Sequence, residues 1–124
     1  MDIILSHSSE KPIYEQITAQ IKRMIASGEL APGEMLPSMR VLARDLRISV
    51  ITTKRAYQDL ERDGFIETVA GKGSFVAGKN AELIREENLR QVEEHLGRAV
   101  ETARMGGITK VEVLEMIDLL FEEE

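Results

Sequence analysis

The 124-residue sequence has no cysteine, which removes disulfides, thiolate metal sites and cysteine nucleophiles together and fits a reducing compartment. It also has no apolar run approaching the roughly eighteen residues a membrane-spanning helix needs, and its first residues lack the basic-then-apolar order of a signal peptide. The expectation is a cytoplasmic protein with no membrane partner. Histidine is scarce: His7 and His95 have no partners at metal-ligand spacing, so neither a metal nor another cofactor is expected. No nucleophile and base pair, no paired carboxylates in a plausible cleft and no cofactor loop stand out, which argues against an enzyme. What is present, 43% hydrophobic residues in a short chain, suits one ordinary domain or a small domain whose appendage borrows core from a partner.

The formal net charge of −6 argues against a polyanionic partner until its distribution is counted. Residues 11–80 hold eleven Lys/Arg against eight Asp/Glu, a balance of +3, whereas residues 81–124 hold five against twelve, a balance of −7. The acid is in the rear half. A modestly basic front segment is compatible with DNA binding, because the field that matters belongs to the docking face and is screened within about 8 Å at physiological salt.

That front segment carries the motif. From Pro12, Ile13, Ile17, Ile21, Met24 and Ile25 step by three and four, which predicts an amphipathic helix with proline in its first turn and an end at Gly28. LAPGEMLP then reads as a loop with a short strand around Glu34 to Leu36. Ser38 caps a helix in which Val41, Leu42 and Leu46 suit packing, with Arg40 and Arg44 one turn apart on the other side. After a turn at Arg47, Ile48 and Ser49, the second cap, Ser49, starts a helix that gathers Val50, Ile51, Thr52, Thr53, Lys54 and Arg55 in its first two turns, where a recognition helix meets bases and phosphates. Lys54 and Arg55 point about 100° apart, so they cannot share a face. Tyr57 and Leu60 fall on the core side. Asp63-Gly64 stops this helix, and Phe65–Val69 and Ser74–Val76 read as a hairpin whose tip, residues 70–73, places Lys72 between Gly71 and Gly73. A GKG tip alone is a weak signal, and it is no phosphate-binding loop, since no strand-loop-helix context surrounds it.

The rear half is helical. Leu89, Val92, Leu96, Ala99, Val100 and Ala103 form a narrow apolar stripe that Gly106-Gly107 breaks, and Thr109 with Glu112 reads as a capping box for a last helix carrying Val113, Leu114, Ile117, Leu120 and Phe121. Two such helices cannot bury this surface against each other alone. A homodimer is the expected outlet, with Leu89, Val92, Leu96, Val100, Val113, Leu114, Ile117, Leu120 and Phe121 as the dimerisation set.

Taken in order, the LPSMRVLA block at 36–43, SVITTKRAYQDLERDGFI at 49–66 and GKGSFV at 71–76 resemble the winged helix-turn-helix domain of GntR-family bacterial transcription regulators, over roughly residues 11–77. The short segment that follows is similar to the tail of the family's YtrA-like branch. The resemblance implies a mostly α fold with a small β-hairpin: an arm at 1–10, the DNA-binding domain at 11–77, a linker at 78–80 and a dimerisation tail at 81–124. It further implies a homodimeric regulator, a repressor in most relatives, that binds an inverted-repeat operator in double-stranded DNA and controls a transporter operon, with a small-molecule effector left open. The DNA-contacting residues it implies are Arg40, Ser49, Thr52 and Lys54 with Gly71, Lys72 and Gly73 at the wing, and the residue pattern adds Ser38, Val50, Ile51 and Thr53 to the expected contact set. One departure stands out. Many relatives carry arginine directly after the Ser49 position, where this chain has Val50; an apolar residue there cannot bond guanine but can meet a thymine methyl. The competing expectation is a winged-helix module for protein interaction that has lost its DNA role.

Overall fold

A computed structural model of the chain describes residues 1–78 and 81–123. Five helices and one hairpin follow in the order α1 (Ile13–Ala26), α2 (Met39–Leu46), α3 (Val50–Arg62), β1 (Ile66–Val69), β2 (Gly73–Val76), α4 (Ala81–Met105) and α5 (Lys110–Glu122). The chain divides into two compact units, Met1–Asn88 and Leu89–Glu124. Lys79 and Asn80 of the expected linker lie outside the described residues.

In the first unit the predicted stripe of α1 supplies Ile17, Ile21 and Ile25 to the core, with Ile13 and Met24 at its margin. Pro12 stands one position before the first turn, as the N-cap residue, and its carbonyl accepts from the Gln16 amide at 3.1 Å. α1 and α2 both pack on α3, and Leu36, Leu42, Tyr57, Leu60, Ile66 and Val76 close the core. Val41 departs from its expected place: it is 37% exposed, and Ala43 is buried instead. In an eight-residue helix whose inner arc is centred on Leu42 and Ala43, Val41 lies about 100° to one side of Leu42 and cannot reach the core.

The hairpin is antiparallel, pairing Ile66 with Val76 and Val69 with Gly73. The strand expected near Glu34 survives as a single bridge from Met35 to Phe75, in which the Leu36 amide donates to the Ser74 carbonyl at 2.9 Å and the Val76 amide donates to the Glu34 carbonyl at 2.8 Å. These bonds tie the loop before α2 to the base of the hairpin. The first residues lie along α1, where the Gln20 amide bonds both the N–H and C=O of Ile4 (2.9 and 2.7 Å) and the Gln16 amide bonds those of Ser6 (2.8 and 2.9 Å). Ile3 and Leu5 pack against the core from this arm.

Asp63, the residue that ends α3, accepts from Lys22 of α1 at 2.9 Å, and the same ammonium lies 5.1 Å over the Phe65 ring. Burial pushes the Asp63 carboxyl up, but Lys22 and Arg62 outweigh it and hold the carboxyl below its ordinary value. A depressed folded pKa stabilises the fold above the unfolded value of about 3.9 and ceases to do so as pH falls through the folded value. Asp63→Asn is therefore expected to lower the urea midpoint at pH 7 and to flatten the decline of stability in acid, both read from urea titrations at a series of pH values.

In the second unit a turn at Gly106 and Gly107 joins the end of α4 to α5. The capping box is present as expected: the Glu112 amide donates to Thr109 Oγ1 at 3.2 Å, and the Thr109 amide donates to Glu112 Oε1 at 3.1 Å. Val113 and Ile117 are half-buried, while Leu89, Val92, Leu96, Val100, Leu114, Leu120 and Phe121 remain exposed, Phe121 to 85%. Among the described residues no helix is long and apolar enough to cross a membrane.

Candidate nucleic-acid interface

Two capped helices and a tight turn build this face. Ser38, extended in backbone after Pro37, accepts the Val41 amide on its Oγ at 3.2 Å and so satisfies one of the free donors at the start of α2. From the core side of α3, the Tyr57 hydroxyl donates to the Pro37 carbonyl at 2.7 Å and fixes where α2 begins. Burial raises the Tyr57 pKa, which keeps the phenol protonated and able to donate. α2 then ends on Arg47, a non-glycine residue in the left-handed region at φ 56°, and this conformation turns the chain sharply enough for α3 to start three residues later.

Ser49 starts α3. Its Oγ accepts the Thr52 amide at 3.0 Å and lies 2.8 Å from Thr52 Oγ1, so one of the two hydroxyl protons stays available to an outside acceptor. Beside this pair, Val50 and Ile51 project from the first turn, and Ile51 is 80% exposed. An exposed isoleucine at the mouth of a capped helix gains nothing from the fold of a single chain. Lys54 follows one turn after Val50, Arg40 projects from α2, and both are exposed with no hydrogen bond or ion pair among the described residues.

Three neighbouring cations are engaged otherwise. Arg44 is 3.6 Å from Asp45, Arg62 bonds Asp59 and Asp63 at 3.2 and 3.3 Å, and the Arg55 guanidinium stacks 3.7 Å over the ring of Tyr14 on α1. That stack settles which of the adjacent pair Lys54 and Arg55 is held by the protein. Sequence reasoning missed it, since Tyr14 and Arg55 are far apart in the chain and no local pattern joins them. Thr53 has to be withdrawn from the contact set. It is 0% exposed, its Oγ1 donating back to the Ser49 carbonyl at 3.2 Å, because Thr53, Ala56, Tyr57 and Leu60 form the inner line of α3.

The hairpin completes the face. The Lys72 amide donates to the Val69 carbonyl at 3.0 Å and closes the tip, Gly71 and Gly73 adopt φ of 76° and 125°, and Lys72 is exposed between them. At both positions a side chain would be strained, so the glycines are what lets the tip turn this tightly. Helix, turn, helix and wing together can present two hydroxyls, two apolar tips and the cations of Arg40, Lys54 and Lys72, unpaired among the described residues, to a polyanion with grooves.

Comparison with known proteins decides the family. The model for bacterial regulatory proteins of the gntR family matches residues 13–76. The chain belongs to the GntR family. This GntR protein is 40% identical to the HTH-type transcriptional regulator YhcF of Bacillus subtilis (strain 168), over 92% of its own length and 93% of YhcF. It is 34% identical to the HTH-type transcriptional repressor YtrA of the same organism, over 88% of its own length and 84% of YtrA, so the likeness runs through the tail and places it in the YtrA-like branch. Among solved structures, the DNA-binding domain of AraR in complex with operator ORX1 superposes with a TM-score of 0.54 at 30% identity, over 60% of this chain and 92% of that one. The GntR protein is thus a DNA-binding transcriptional regulator and not an enzyme.

Proposed function

We propose that this regulator is a homodimeric repressor that reads an inverted-repeat operator with Arg40 from α2, with Ser49, Val50, Ile51, Thr52 and Lys54 from α3, and with Gly71, Lys72 and Gly73 at the wing. The observation that carries the reading is the front of α3, where the highly exposed Ile51 stands beside unpaired Lys54 and a hydroxyl pair at a helix N-terminus, whose partial positive charge favours phosphate. Ser38 caps α2 with its oxygen and keeps its own proton for a phosphate. Dimerisation through the exposed apolar residues of α4 and α5 is supported by their number and by the cost of leaving them in water. Two-fold symmetry would then set two recognition helices about one turn of DNA apart. YtrA is a transcriptional repressor, and control of a transporter operon is what the resemblance to that branch implies. A small-molecule effector would act through the tail.

Selecting binding sites from a random duplex pool tests this reading. The native protein is expected to enrich an inverted repeat with thymine opposite Val50 or Ile51 in each half-site, whereas Val50→Arg is expected to shift that position to guanine by about 1–3 kcal/mol of preference. Unchanged preference in the variant would remove Val50 from the base-reading set.

A further inference from the structure

We propose that the stack of Arg55 on Tyr14 is a phosphate anchor: the ring holds the guanidinium against the wall of the groove that α3 enters, where it bonds the DNA backbone without reading sequence. This role rests on α3 being the recognition helix, and it adds one contact residue, Arg55, and one positioning residue, Tyr14.

The stack leaves the bonding edge of the guanidinium unused. Its central carbon lies 3.7 Å from the centre of the Tyr14 ring, so the ring occupies one face of the cation and none of its N–H donors, which lie in the guanidinium plane. Two carboxylates stand nearby in the helices, and neither takes those donors. Asp59, one turn after Arg55 on α3, pairs with Arg62 at 3.2 Å, and Glu15, next to Tyr14 on α1, accepts the Tyr14 hydroxyl at 3.3 Å. Arg55 thus has no hydrogen bond or ion pair among the described residues, although the ring fixes where its donors sit. A planar fork ordered in advance suits the paired oxygens of a phosphate and loses little freedom on meeting one.

Its place on α3 sets that edge beside the backbone of the DNA. Ile51, 80% exposed at the front of the helix, marks the direction of the groove floor. At about 100° per residue, Arg55 lies about 40° to one side of the Ile51 line and Lys54 about 60° to the other, so the two cations flank it. Along the axis Arg55 comes about 6 Å behind Ile51, most of the roughly 8.5 Å depth of a major groove. With Ile51 at the base edges, the Arg55 guanidinium stands at the height of the phosphates on one wall, and Lys54 faces the other wall.

A plain tie between α1 and α3 is the other role to weigh. Those helices already meet through Ile17, Ile21, Ala56 and Leu60, all buried, and an apolar side chain at position 55 would cover the Tyr14 ring without bringing a charge. The charge is what the fold does not use.

The test is fluorescence anisotropy of the full chain with the selected inverted repeat and with random duplex, at several salt concentrations between about 0.1 and 0.3 M. Arg55→Gln is expected to weaken both duplexes by the same factor, at least about threefold, and to reduce the slope of log affinity on log salt by about 0.9 for each chain bound. Tyr14→Leu, which keeps the charge and loses the ring, is expected to weaken binding with the slope kept, while Tyr14→Phe, which loses only the hydroxyl, binds as the native chain does. Scanning calorimetry checks that each variant folds. A native slope in Arg55→Gln would overturn the anchor, whether or not stability falls. A changed preference between the two duplexes would overturn it as well, by making Arg55 a base reader, and Tyr14→Leu binding as tightly as Tyr14→Phe would leave the ring no positioning role. A native chain with no preference for the repeat would instead strike the operator reading, and the slope on random duplex then decides the anchor alone.

Discussion

Replacing Arg40 and Lys54 together with alanine is expected to lower operator affinity roughly 30-fold to 10⁴-fold, the sum of two charged contacts worth about 1–3 kcal/mol each. Both side chains are exposed and bond nothing among the described residues, so thermal unfolding should stay within about 0.5 kcal/mol of the native chain. That combination is diagnostic. A cation that served the fold would cost stability on removal, as Lys22 would through Asp63 and Phe65. Fluorescence anisotropy gives the affinity, differential scanning calorimetry the stability, and sedimentation the assembly state. Affinity unchanged within a factor of about three would dismiss this face as the DNA contact. A joint loss of affinity and stability would recast the two residues as structural.

Leu60→Ala should have the opposite profile. Leu60 is 0% exposed and sits on the inner line of α3, against α1 and the hairpin base, where truncation leaves a cavity. The expected cost is about 2–5 kcal/mol, a large share of the about 5–15 kcal/mol that holds a small domain together. The urea midpoint should fall steeply. At low temperature, where a folded fraction persists, affinity corrected for that fraction should match the native value, because no contacting side chain is touched. A loss below about 1 kcal/mol would mean that the site collapses around the deletion, which the packing of Ile17, Ile21 and Ile66 about α3 makes a poor expectation.

The legible parts of the structure were those written locally. The caps at Ser38, Ser49 and Thr109 each follow from a hydroxyl placed before a periodic apolar run, and all three accept the amide three residues on. The four-residue spacing of Ile17, Ile21 and Ile25 and the inner placement of Tyr57 and Leu60 follow from helical period alone. What was missed depends on tertiary partners. Thr53 is the exception: it stands four residues before Tyr57 and seven before Leu60, so the helical period that turns those two inward turns it inward as well, away from Thr52. Arg55 is a free cation in sequence and a stacked one in space because Tyr14 comes from another helix. The docked arm was invisible for a related reason: Gln16 and Gln20 look like polar interruptions in α1 until the backbone of Ile4 and Ser6 meets them.

The unpaired front of α3 is most directly tested by anisotropy titration, at about 0.15 M salt, of the selected inverted repeat against the same duplex with one half-site scrambled and against random DNA. The expected result is binding of two chains per intact duplex at least about 10³-fold tighter than to random sequence, with most of that preference lost when one half-site is scrambled. Affinity within a few-fold across the three duplexes would contradict sequence-specific recognition by this face.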